Sequence, residues 1–302
     1  LCKVLRVDGH KVYADIIPPE FGLEASKYKT GKYCIKADKI IFSAGAIHST
    51  TLLMKSFGAE FLPAIGRYFT CHPALILVGQ HANQINANGG HPKSFYCDEF
   101  HHTNKFLLET CYYFPFTLAK NLAGFGAEVD ELLHLYKNLQ MILVLAIDAA
   151  EAHNRVKLGA NGKPMVDYTF NAKTISSFVA AIQASTKIFF AAGAKKVHAP
   201  SMTKFFITPD EAPYIDQLIT KNNFKLGKIS VAAAHLMGGC RMGSDKTTSV
   251  TNEWGKIHGF EDYYVADASL FPKASEVNPY LTIMSLANRV AEGIKRDLGE
   301  DV

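Results

Sequence analysis

The chain is 302 residues long with 48% hydrophobic, 20% charged and 11% aromatic residues, a balance that excludes a disordered, collagenous or coiled-coil protein and leaves room for roughly two domains of about 150 residues each. Thirty-two Lys and Arg stand against 28 Asp and Glu, a net charge of +4, so charge marks out neither a nucleic-acid binder nor a membrane-surface binder. Six cysteines (Cys2, Cys34, Cys71, Cys97, Cys111 and Cys240) are scattered with no Cys-x-x-Cys pair, which is the pattern of free thiols rather than of a disulfide framework. No apolar run reaches the about 18 to 20 residues of a membrane helix. The stretches 106–118 and 141–150 are too short or are broken by Glu109 and Asp148. The chain opens on Leu1 without a basic-then-apolar leader, and is expected to be a segment of a longer polypeptide or a processed one.

In chain order, residues 4–7 and 11–17 alternate apolar and polar side chains around Asp8-Gly9, predicting a β-hairpin. A polar loop over 27–32 precedes a predicted strand over 33–43 that ends in Ile40-Ile41-Phe42. Ala44-Gly45-Ala46 then turns the chain into a helix with apolar Ile47, Leu52, Leu53 and Phe57. From Gly66 to about Lys228 the pattern changes to a short strand at 74–79, an Asn/Gly/Pro-rich stretch at 83–92, aromatics at 111–116 and helices at 129–135 and 175–192, which reads as an α+β domain. Asn161-Gly162-Lys163-Pro164 predicts a turn between strands at 155–158 and 166–170. The last ~70 residues hold a Gly/Met cluster at 235–243, a strand at 263–266 and a helix running to about Lys295. Asn278 is the expected N-cap of that helix and Pro279 its first residue. Leu281, Met284, Ala287, Val290, Ala291 and Ile294 make its apolar stripe.

Three segments at the C-terminal end carry the chemistry: His235-Leu236-Met237-Gly238-Gly239-Cys240-Arg241-Met242-Gly243, Tyr264-Val265-Ala266-Asp267-Ala268-Ser269, and Val277-Asn278-Pro279 followed by Thr282. Together, in this order, they resemble the C-terminal segment of the glucose-methanol-choline (GMC) flavin oxidoreductases. Residues 43–53 resemble the same family's second signature, and Cys2-Lys3-Val4 with its hairpin resembles the strand that flanks the flavin adenine. The likeness is strong over about 70 C-terminal residues, moderate over the first 67 or so, and weak between.

What the resemblance implies is specific. The fold class would be α/β plus α+β: the C-terminal part of a discontinuous FAD-binding domain (1–66 and 229–302) with an antiparallel-sheet substrate-binding domain (67–228) inserted. The cofactor would be FAD. His235 would be the base that takes the hydroxyl proton of an alcohol while hydride leaves for flavin N5, and Asn278 would be its partner. Val4, Ala44, Gly45, Asp267, Ala268, Asn278, Pro279, Tyr280, Leu281 and Thr282 would line the cofactor. Asn at 278 points to the cholesterol-oxidase-like, choline-oxidase-like and long-chain-alcohol-oxidase-like branches. Lys273 and Glu276 depart from the small or neutral residues usual in the family.

The residue types fit that chemistry. Turning an alcohol into a carbonyl needs a proton acceptor with a pKa near working pH, which histidine supplies, and an electron sink, which flavin supplies. A side-chain amide can donate to the developing alkoxide while leaving the histidine neutral and able to accept. The free N–H groups and positive end of a helix opening at Pro279 suit the flavin edge where negative charge accumulates. His235 and Cys240 have no motif-spaced third or fourth ligand, so no metal site is expected. His72-Pro73, His101-His102 and the aromatics Tyr112, Tyr113, Phe114 and Phe116 read as loop or packing residues.

No Gly-x-Gly-x-x-Gly turn is present; the nearest string, Gly124-Phe125-Gly126-Ala127-Glu128-Val129, lacks the third glycine and reads as loop. The expected partners are a small-molecule alcohol, leaning to a hydrophobic one, and oxygen, a quinone or a cytochrome as electron acceptor, with no nucleic acid and no transmembrane segment. Two alternatives stand beside this reading: a flavin-containing hydroxynitrile lyase, and an inactive fragment lacking a dinucleotide-binding N-terminal part.

Overall fold

Asp8-Gly9 closes the expected hairpin, with Gly9 at φ 53°, so that β1 (Cys2–Asp8) pairs antiparallel with β2 (Lys11–Ile16), and β3 (Gly31–Lys36) extends the sheet from β2. The computed structural model describes residues 2–18, 28–91, 93–112 and 114–300. Tyr113 and the ends of the loops expected over 27–32 and 83–92 lie outside the described residues. The strand expected over 33–43 is two strands. Ala37 N–H donates to His10 O at 3.0 Å, whereas Ile40 N–H donates to Asp262 O at 2.9 Å. β4 (Ile40–Phe42) therefore belongs to a different sheet from β3. The helix α1 (Gly45–Phe57) follows and buries Ala46, Leu53 and Met54.

The chain next runs through β5 (Thr70–Gln80), β6 (Tyr96–Cys97), α2 (His101–Asn104), β7 (Phe106–Cys111), α3 (Pro115–Asn121), α4 (Ala127–His134) and β8 (Leu139–Ala146). A hairpin of β9 (Arg155–Leu158) and β10 (Pro164–Asp167) comes after, then α5 (Ala172–Ala191), β11 (Lys196–His198), β12 (Phe206–Ile207), α6 (Ile215–Leu218) and β13 (Ala232–Met237). The chain ends through β14 (Tyr263–Val265) and α7 (Tyr280–Asp297). The second hairpin strand sits two residues earlier than its sequence predicts. Gly159 N–H donates to Lys163 O at 2.9 Å across a turn in which Gly162 has φ 70°, and this pins Pro164 opposite Leu158.

Two compact units result, each described here by itself. The first comprises residues up to Cys71, Ala149–Thr169, and residues from His235 onward; the second comprises His72–Asp148 and Phe170–Ala234. The hairpin β9–β10, expected in the middle domain, is thus part of the first unit. Val156 N–H donates to Gly66 O at 2.8 Å, Phe69 N–H donates to Asn154 O at 3.0 Å, and buried Val156 packs with Ala46 and Phe69.

In the second unit the sheet order is β12-β11-β5-β8-β7-β6, with β13 also pairing to β5. Every register along that path is antiparallel. One face of the sheet packs Leu75, Leu77, Phe106 and Val144 against Phe178, Ile182 and Phe189 of α5. The other face buries Leu118, Leu132, Met141 and Leu143. Each such side chain is worth about 1.5–3 kcal/mol when withdrawn from water. α5 is long and apolar enough to pass for a membrane helix by length and composition, and its apolar stripe is this core's wall. Asn171 caps α5, its side chain accepting from the N–H groups of Lys173 and Thr174 at 2.9 Å each. Gly124-Phe125-Gly126 lies in the connection between α3 and α4, as expected of a loop.

In the first unit β4 and β14 pair in parallel, Ile40 opposite Tyr263. Phe42, Leu53, Ile65, Tyr264, Val265 and Val290 form the core around them. α7 starts one residue later than expected: Pro279, at φ −82° and ψ −5°, is the N-cap, and Asn278 lies outside the helix. The predicted apolar stripe is covered only in its second half, at Val290 with Leu286 and Ile294 alongside, whereas Leu281 is 73% exposed and Met284 54% exposed. Arg289 and Arg296 each set their guanidinium 4.1 Å from the Trp254 ring centre, clamping that half of the helix. All six cysteines are free.

Candidate active site

His235 is the fourth residue of β13 and is half-buried, between exposed Ala234 and the half-buried Leu236 that precedes fully buried Met237. The strand ends because Gly238 (φ 76°) and Gly239 (φ 96°) take left-handed backbone. Both positions are also too crowded for a side chain. A Cβ on Gly238 would stand 2.2 Å from Tyr68 O, and one on Gly239 2.6 Å from Thr50 Oγ1. The glycine pair thus lets the main chain squeeze between the 66–69 loop and α1, where Gly66 N–H donates to Gly239 O at 2.7 Å.

Beyond the glycines the cluster runs alongside the 268–270 segment. Gly238, Cys240 and Met242 donate their N–H groups to Ala268, Ser269 and Leu270 O at 3.0, 3.0 and 2.9 Å. Cys240 is fully buried, its Sγ 3.3 Å from Thr50 Oγ1, and burial pushes its thiol pKa up to about 12. A neutral thiol of this kind is neither a nucleophile nor a metal ligand, and among the described residues no cluster of three metal-ligating side chains occurs.

Asp267 sits where β14 ends, and its carboxylate is buried. It accepts from Gly45 N–H at 2.8 Å, from Ser269 N–H at 2.8 Å, and from the Ser49 hydroxyl in a short hydrogen bond. Ser49 Oγ in turn accepts from Ala44 N–H at 2.7 Å. Ala44 supplies no side-chain cap to α1, so a carboxylate 222 residues away in sequence closes that helix N-terminus, where the dipole favours negative charge. Ala44, Gly45 and Asp267 are therefore one hydrogen-bonded group through Ser49, and Ala268, next in the chain, accepts instead from Gly238 N–H. Val4 stands apart from it: it pairs with Ala14 on a strand whose Val7 N–H donates to Ser56 near the other end of α1, at 2.9 Å.

The segment before α7 is tied to β13. Ser275 Oγ lies 3.7 Å from Met237 Sδ and donates to Val277 O at 2.7 Å. The contact falls two residues after His235 and three before Asn278. Past it, Val277, Asn278, Tyr280, Leu281 and Thr282 are all exposed, while Pro279 is buried. The N-cap of α7 makes no side-chain capping bond, which leaves the first-turn N–H groups as donors for something other than a capping side chain.

Several of these contacts had no signal in the sequence. Ser49 and Thr50 look like ordinary helix residues, and Ser275 like a loop serine. Tyr68 is held at φ 58° with the Arg241 guanidinium 4.2 Å from its ring centre. The left-handed backbone of Tyr68 lies where it meets Gly238, a relation that spacing along the chain does not reveal.

Residues 150–287 match the family model described as GMC oxidoreductase. The chain is 28% identical over 277 residues to an uncharacterized GMC-type oxidoreductase of Mycobacterium tuberculosis, covering 90% of this chain and 42% of that protein. It is 26% identical over 290 residues to a long-chain-alcohol oxidase of Arabidopsis thaliana, covering 87% of this chain and 36% of that one. Among solved structures, formate oxidase of Aspergillus oryzae aligns with a TM-score of 0.65 at 14% identity, over 98% of this chain and 60% of that one. The chain thus spans less than half the length of the Mycobacterium tuberculosis and Arabidopsis thaliana relatives.

Proposed function

We propose that the chain, whose residues 150–287 match the GMC oxidoreductase model and which is similar to GMC-type oxidoreductases over most of its length, is a member of that family and contributes the catalytic half of an FAD-dependent enzyme that oxidises an alcohol to a carbonyl compound. In this reading the first unit is part of a discontinuous FAD-binding domain and the second, with its antiparallel sheet, is the substrate-binding domain. The described residues fit a flavin. The α7 first turn offers N–H donors without a side-chain cap, and Val277, Tyr280 and Leu281 offer exposed apolar surface beside them. When bound, FAD supplies the acceptor for the hydride.

The protein's own residues do the rest. His235 accepts the substrate hydroxyl proton on a ring nitrogen. The Asn278 amide donates to the oxygen as negative charge develops on it, a contribution of about 3 kcal/mol for one well-placed donor. The N–H groups at the α7 N-terminus would serve the electron-rich edge of the cofactor, and the Asp267 carboxylate holds the α1 N-terminus against the 268–270 segment. The substrate class follows the relatives named for long-chain alcohols: a primary or secondary alcohol on an apolar body.

The observation that supports this most is the Ser275–Met237 contact, which anchors the segment carrying Asn278 to the strand carrying His235. Rapid mixing of the full-length, FAD-loaded protein with alcohol under anaerobic conditions tests it. His235→Ala should slow flavin bleaching by about 100-fold or more with FAD still bound. Bleaching at the wild-type rate would remove His235 from the mechanism.

A further inference from the structure

A cavity of about 560 Å³ opens within the first unit between the end of α1, the loop after it and β9. Met54, Ile65 and Val156 are buried in its floor. Its rim carries Arg67, Arg155 and Lys157. These cations are brought together by the main chain, not by chance of side-chain reach. Val156 N–H donates to Gly66 O at 2.8 Å, and a Cβ on Gly66 would stand 2.1 Å from Val156 O. The bonded pair Gly66–Val156 therefore holds Arg67 beside Arg155 and Lys157.

Converging like charges repel one another unless compensated. Asp167 takes both β9 cations, Lys157 Nζ at 2.5 Å and Arg155 Nε at 3.5 Å. Among the described residues Arg67 has no ion-pair partner. Glu60 is the one acidic side chain in the lining, which leaves the group one positive charge in excess. An apolar floor with an unpaired guanidinium fork at its rim is complementary to one kind of ligand.

We propose that this cavity binds a small amphipathic anion, with a carboxylate or phosphate head on Arg67 and Lys157 and an apolar tail over Met54 and Ile65. The site shares no residue with the His235 and Asn278 segments and does not rest on the function proposed above.

Calorimetric titration of the full-length protein with octanoate and with octyl phosphate tests the assignment and decides between the two head groups. Binding of at least one of them is expected. R67A should weaken it by about tenfold, the loss of one charge-assisted contact of about 1.4 kcal/mol, and K157A should weaken it in the same direction. E60Q, which removes the opposing charge, should tighten it. Arg67 is exposed, so R67A is expected to keep the wild-type melting temperature, which is measured alongside. No heat of binding from either probe up to about 10 mM would overturn the proposal, and so would an affinity that neither R67A nor E60Q alters, since that places the probe elsewhere.

Discussion

Asp267→Asn is the substitution that most directly tests how the first unit is held together. The carboxylate accepts two main-chain N–H groups at 2.8 Å and the Ser49 hydroxyl, the Ser49 and Ser269 bonds buried and the Gly45 bond half-buried. An amide of the same shape keeps one oxygen acceptor and turns an NH2 toward the remaining donors. With the oxygen kept toward Ser269 N–H, the half-buried Gly45 N–H is left facing a donor. Losing one charge-assisted hydrogen bond costs about 1.5–3 kcal/mol, and losing the negative charge at the α1 N-terminus costs about 0.3–1 kcal/mol more. The sum is about 3 kcal/mol. For a unit of this size it corresponds to a drop of about 6–12 °C in melting temperature. Ser49→Ala, which removes one of the three donors to Asp267 and the acceptor for Ala44 N–H, should give about a third of that. Differential scanning calorimetry of the full-length protein reads both. A shift under about 2 °C for D267N would refute the idea that this carboxylate caps α1 across the sequence.

Two further outcomes follow from groups elsewhere. Burial holds the His198 pKa down at about 4 against an ordinary 6.5, with Nδ1 donating to Phe205 O at 2.8 Å. The unfolded chain therefore binds a proton that the folded one refuses. The stability tied to His198 is complete above pH 6.5 and is lost as pH falls toward 4, by about 3 kcal/mol in all. Urea unfolding across that range should show an acid slope that His198→Asn flattens; an identical slope in the variant would count against it. Gly238→Ala should destabilise the first unit by about 3 kcal/mol or more, because left-handed backbone and a 2.2 Å clash with Tyr68 O coincide. Gly259→Ala, at φ 83° but with nothing within 4 Å of the new Cβ, should cost only about 1 kcal/mol. Equal losses in the two would show that conformation alone, without packing, sets the requirement.

Much of the local structure was legible because its causes are local. The Asp8-Gly9 hairpin, the small-residue entry into α1, the loop character of Gly124–Gly126 and the helix expected over 175–192 depend on neighbours a few residues apart. A strand that changes partners carries no such mark: residues 33–43 read as one strand ending in Ile40-Ile41-Phe42, yet His10 O captures one part and Asp262 O the other. Helical period likewise announced an apolar face on α7, but period says nothing about what covers it. Packing covers Val290 and leaves Leu281 and Met284 exposed.

The amino-acid sequence by itself determined the order of chemically meaningful segments, His235 to Gly243, Asp267-Ala268 and Asn278-Pro279, since residue identity and spacing are properties of the chain. Only the tertiary structure decided that Asp267 serves α1 through Gly45 and Ser49, that Ser275 ties the Asn278 segment to Met237, and that residues 149–169 return to the first unit. Those relations join groups up to 222 residues apart. Hydrogen bonds and apolar packing depend on distance in space, which a linear pattern does not encode.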